Sequence, residues 1–114
     1  MKQLFWAIAL PIVLYGCVHP AYSGPTLECK IAKPEYPAIS RRRGESGIVY
    51  VRVTAGKDAQ FESISIVKSS GYQRLDDSAL QAMRWSKCAP AYSDGERIPF
   101  TFTEPFTFGE ATTQ

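Results

Sequence analysis

Few side chains in this chain could do chemistry: Cys17, Cys29, Cys88, His19, the pair Ser69 and Ser70, and the pair Asp76 and Asp77. His19 is the single histidine and precedes the patterned part, which therefore has no imidazole for a nucleophile–base arrangement or a zinc site. Asp76 and Asp77 are adjacent, so on a helix they point about 100° apart. That geometry suits a first helical turn better than an acid–base pair. Ser69 and Ser70 have no partnering Lys or His motif and read as loop residues. Neither a G-x-G-x-x-G nor a G-x-x-x-x-G-K run occurs, and no C-x-x-C spacing suggests a metal or redox pair. The inventory predicts a protein that is not an enzyme and uses no cofactor and no metal.

The three cysteines take their meaning from the first segment. Residues 1–16 carry one charge, Lys2, then an apolar run over residues 4–15 and the small Gly16 before Cys17. This is the pattern of an export signal, and at roughly 20 residues required for a span the run is short and broken by Pro11. Leu14, Tyr15, Gly16 and Cys17 resemble a bacterial lipobox, which makes Cys17 the lipidation site. Ala21, Tyr22 and Ser23 also offer the small-x-small pattern of an ordinary signal peptidase, so a soluble periplasmic product stays open. Export places the remaining Cys29 and Cys88 where disulfides persist, and lipidation of Cys17 leaves them as a pair. Two unpaired buried thiols are the alternative.

Behind these residues lies one domain. A chain of 114 residues, 45% hydrophobic and 21% charged, sits within globular bounds and leaves no room for a second folded unit. Net charge is +2, so no basic field points to nucleic acid. Arg41, Arg42 and Arg43 stand beside Glu45 and read as a solvated face. The organisation is a leader over 1–16, a short tether over 17–32, a domain over 33–109 and a tail over 110–114.

Within the domain, residues 48–53 alternate, with Val49, Val51 and Val53 on one face, and predict a strand. Turn chemistry at residues 55–58 and alternation over 61–68, with Ile64 and Ile66 inward, complete a hairpin. Residues 75–85 place Leu75, Ala79, Ala82 and Met83 on one helical stripe. Ile98, Phe100 and Phe102 alternate with polar residues and predict a last strand over 98–108, bent at Pro105. Pro99 and Pro105 each lack a backbone donor, which assigns this strand to an edge. The order implies an α+β domain, a two-layer sandwich of a three-stranded, mostly antiparallel sheet with one main helix.

The same residues carry a family resemblance. Lys33-Pro34-Glu35-Tyr36-Pro37, then residues 40–49 (SRRRGESGIV), Ser69-Ser70-Gly71-Tyr72, Leu75-Asp76, Ala79-Leu80, and Pro90-Ala91 with Asp94-Gly95 resemble, in order and spacing, the C-terminal domain of TonB-family proteins. The likeness runs from about residue 29 to residue 108. It implies a periplasmic domain that grips the TonB-box peptide of an outer-membrane transporter, or another envelope protein, by strand addition. The edge strand is the implied docking surface, through Ile98, Phe100 and Phe102. Tyr36 and Pro37 follow as contact positions because the family's YP segment lies near the bound peptide.

The chain departs from the energy-transducing members in several places. It shows no N-terminal transmembrane helix and no long Pro-rich spacer. The family's hairpin glycine falls on Ala59, and Cys88 stands where Phe is common. The expectation is a lipid-anchored, noncatalytic binding domain on the periplasmic side of the envelope. Val18 after Cys17 favours the outer membrane. The alternative is a structural envelope lipoprotein that forms a homodimer, or joins a secretion or adhesion assembly, through the same edge.

Overall fold

The computed structural model describes residue 16 and residues 26–110. Cys17, His19 and the small-x-small site lie outside the described residues. The elements are β1 (Cys29–Lys30), α1 (Ala38–Arg42), β2 (Gly47–Ala55), β3 (Phe61–Lys68), α2 (Gln73–Trp85), β4 (Lys87–Cys88), β5 (Ala91–Ser93), β6 (Glu96–Ile98) and β7 (Phe100–Phe108). The main sheet has the order β3-β2-β7 with both pairings antiparallel, so β2 is central and β7 is an edge. One long helix on one face of a three-stranded sheet is the two-layer α+β arrangement that the alternation and the helical stripe predict.

The layers meet where the two periodicities coincide. Val49, Val51 and Val53 of β2 are fully buried against Leu75, Ala79, Ala82 and Met83 of α2, with Phe106 and Phe108 of β7 closing the same cluster. A second, smaller cluster joins Ala55, Ala59, Ala91 and Phe100, with Leu27 and Ile98 packed against it. Residues 27–37 form a strap beside α2. The Ala32 N–H donates to Ser86 Oγ at 2.9 Å, and the Ser78 hydroxyl donates to the Glu35 carbonyl. A disulfide joins Cys29 and Cys88, which face each other in the β1–β4 pair. Residues 27–32, which the sequence assigns to the tether, are thus held to the domain by backbone pairing, a covalent bond and the packing of Leu27 and Ile31.

The last strand differs from its predicted form in two ways. Ile98 is not part of it: Pro99 interrupts the run, and β6 folds back on β5 with Ile98 opposite Ala91. A prolyl nitrogen has no hydrogen to contribute to a ladder, so the chain changes partner there. At Pro105 the expected bend does not break the pairing, and the register with β2 runs unbroken from Phe100 opposite Ala55 to Phe108 opposite Gly47.

Ala59 closes the β2–β3 turn at φ 64°, the left-handed region that costs a side-chain-bearing residue about 1–2 kcal/mol. The turn is held by Ala59 N–H to the Gly56 carbonyl and Gly56 N–H to the Gln60 carbonyl, both at 3.0 Å. The position where the resemblance implies glycine therefore has a glycine-like conformation while bearing a methyl. Ala59→Gly is expected to stabilise the domain by about 0.5–1 kcal/mol, the backbone relief being partly offset by the freer unfolded chain and the lost buried methyl. A rise in melting temperature of a few degrees checks this, and a lower melting temperature refutes it.

Candidate functional site

Strand addition needs a regular, open edge, and the sheet ends in two strands, β3 and β7. The β3 pairing carries register shifts between Tyr50 and Val51 and between Thr54 and Ala55, irregularities that twist a strand away from a flat template. β7 has no such shift along its pairing with β2, and among the described residues β2 is its only sheet partner. Its outer side therefore presents a row of backbone groups in a single register, with Pro105 as the one residue that lacks a donor. Phe100 and Phe102 stack with ring centroids 6.2 Å apart at one end of this edge. Phe61 meets Phe102 edge-on at 6.2 Å and fixes it from β3. Ile98, expected in the same row, lies in β6 instead.

Tyr36 sits at the other end, with its side chain already engaged. Its ring packs edge-on against Phe108 at 5.7 Å, the Arg41 guanidinium lies 5.1 Å above the ring centroid, and its hydroxyl donates to the Glu45 carbonyl. Pro37 occupies the N-cap position of α1 and accepts a hydrogen bond from Arg41 N–H at 3.0 Å through its carbonyl. These contacts make Tyr36 a clamp on the Phe108 end of β7, while Pro37 starts α1. The structure thus brings Tyr36, Phe100 and Phe102 to one strand, and puts Pro37 in the wall of a groove between the strap and α2, near the exposed Trp85.

The loop before α2 uses the two serines and Asp76 structurally. Ser70 N–H and the Ser70 hydroxyl donate to Asp76 Oδ1 at 3.0 and 2.7 Å, and the Ser69 hydroxyl donates to Oδ2. Asp76 therefore ties back to the preceding loop and leaves the helix's N-cap position, Tyr72, without a side-chain cap. Gly47 lets β2 start beside this loop, because a Cβ there would lie 3.1 Å from Ser70 Cβ and from the Ser70 carbonyl oxygen. Burial alone would push the Asp76 carboxyl up, but the three hydrogen bonds outweigh it and hold the group below the usual carboxylate range.

A carboxyl lowered by folding adds stability above its unfolded pKa near 4, and that part is lost as pH falls through the lower folded value. Asp76→Asn is thus expected to lose stability at about pH 6 and to show a shallower acid loss than the parent towards about pH 3. Urea unfolding at the two pH values checks the sign, and an unchanged acid slope would count against the loop tie.

Comparison with known proteins agrees with this geometry. The profile described as the Gram-negative bacterial TonB protein C-terminal matches residues 32–109. The chain belongs to the TonB C-terminal domain family. Protein TonB of Vibrio cholerae is 35% identical over 86 residues, covering 74% of this chain and 34% of its own length. Protein TonB of Neisseria gonorrhoeae is 42% identical over 52 residues, 46% of this chain and 18% of that protein. The chain therefore spans only about a fifth to a third of these curated relatives. The solution structure of the Pseudomonas aeruginosa TonB C-terminal domain superposes with a TM-score of 0.59 at 25% identity, covering 80% of this chain and 89% of that one.

Among the described residues of this TonB-family chain, no helix is long and apolar enough to cross a membrane. Two features of the site escaped sequence reasoning. The strap anchors Ser78 and Ser86 carry no local signal, because small polar residues on a helix flank look solvated. The second is Glu104, which the reading of the last strand passed over and which the pairing opposite Val51 puts on the face of Phe102 and Phe106.

Proposed function

We propose that this TonB-family domain is a noncatalytic binding module on the periplasmic side of the envelope, docking an extended peptide along β7. The partner is a TonB-box-like segment of an outer-membrane transporter, and a lipid on Cys17 holds the domain near the membrane. The observation that carries this reading is the open outer side of β7, regular along its whole length and clamped at both ends by aromatic packing. Main-chain hydrogen bonds would supply most of the affinity, so the Tyr36 ring can stay engaged with Phe108 and Arg41 and need not contact the guest.

Titrating the purified full chain with a transporter-derived TonB-box peptide tests the reading. Saturable binding is expected, lost when alternate peptide amides are N-methylated, because that change removes donors without altering this chain. Phe102→Pro is expected to weaken binding as well. Stable self-association without peptide binding would overturn the proposal in favour of a structural dimer. Mass spectrometry of the envelope-extracted protein reports acylation at Cys17, and cleavage after Ser23 would remove the lipid from the scheme.

A further inference from the structure

The docking edge carries a charge in the middle of its apolar face. Phe100, Phe102, Glu104, Phe106 and Phe108 of β7 stand opposite Ala55, Val53, Val51, Val49 and Gly47 of β2, and paired residues in an antiparallel ladder share a face. Four of the five β7 residues are aromatic and contribute to the two core clusters or pack against them. Glu104 is the exception, half-buried beside a fully buried Val51. Among the described residues an ion pair joins Arg74 and Glu45 at 3.8 Å, whereas Glu104 has neither an ion pair nor a side-chain hydrogen bond. The strap covers the ends of this face, with Leu27 packed in the cluster that holds Phe100, and Tyr36 on Phe108.

We propose that Glu104 selects the guest: the docked strand carries Lys or Arg beside it, with apolar side chains two residues to either side. The proposal rests on the strand-addition reading and deepens it. Side chains of neighbouring strands meet on the same face whether the guest runs parallel or antiparallel, so the residue beside Glu104 faces the carboxylate either way. Its neighbours two positions away meet Phe102 and Phe106. The preferred guest therefore reads apolar-x-cation-x-apolar, a pattern unchanged by reversal. The same carboxylate works against self-pairing, since a second β7 would bring its own Glu104 or an aromatic to that position and leave the charge unpaired.

Three peptides long enough to cover β7, identical except for Lys, Gln or Glu at the central position, test this against the full chain. The Lys peptide is expected to bind about tenfold more tightly than the Glu peptide, with Gln between them. Glu104→Gln, nearly isosteric, should flatten the series, and Glu104→Lys should reverse it; far-ultraviolet dichroism establishes that each variant is folded. Equal binding of all three peptides to the parent chain would refute selection by Glu104 while leaving strand addition standing. Binding of none of them, in a chain that is folded, would remove the strand-addition reading itself.

Discussion

Phe108→Ala is expected to lower the unfolding free energy by about 3–5 kcal/mol, the range for truncating a buried phenylalanine. The side chain is 2% exposed and belongs to the cluster formed by β2, α2 and β7. Its loss removes apolar burial and leaves a cavity that the paired strands cannot readily collapse, because β7 is registered residue by residue on β2. The Tyr36 ring loses its edge-on partner as well, and with it the clamp over the end of β7. For a domain whose total stability is about 5–15 kcal/mol, this change alone brings the native state near its threshold. Urea unfolding monitored by tyrosine fluorescence measures it, and Phe108→Leu should retain most of the stability. A loss below about 1 kcal/mol would mean that this end of β7 is not integral to the core.

Removing the disulfide, as Cys29→Ala with Cys88→Ala, is expected to cost about 2–4 kcal/mol. The bond closes a loop with a sequence separation of 59 residues, so its loss frees the unfolded chain across nearly the whole domain. In the folded state it also fastens the strap to the segment just after α2, where β1 and β4 supply only a two-residue pairing. The double variant should therefore show faster amide exchange at Lys30 and Ala32, before exchange in β2 changes. Equal melting of the oxidised and reduced chains would show that the strap's hydrogen bonds and the packing of Ile31 suffice without the covalent tie.

Chain polarity explains how much of this was legible beforehand. The β2 and β3 alternation and the α2 stripe are local signals, repeated every two residues or every three to four. Val49, Val51, Val53, Leu75, Ala79, Ala82 and Met83 are buried because each element had one apolar face and a single way to hide it. The proline at position 105 pointed correctly to an edge strand. Pro99 misled, because alternation continues through it while the ladder does not: Ile98 keeps the apolar rhythm but pairs with Ala91.

By itself the sequence determined the α+β class, the faces that meet in the core and the inventory that leaves the patterned part without histidine. Only the tertiary structure decided which sheet edge is regular and open, that Tyr36 clamps Phe108, and that residues 27–37 lie as a strap along α2. Those outcomes depend on contacts between residues far apart in the chain, such as Val49 with Phe106, or Ala32 with Ser86. Local propensity carries no record of such partners, because their choice is made by the whole core closing at once.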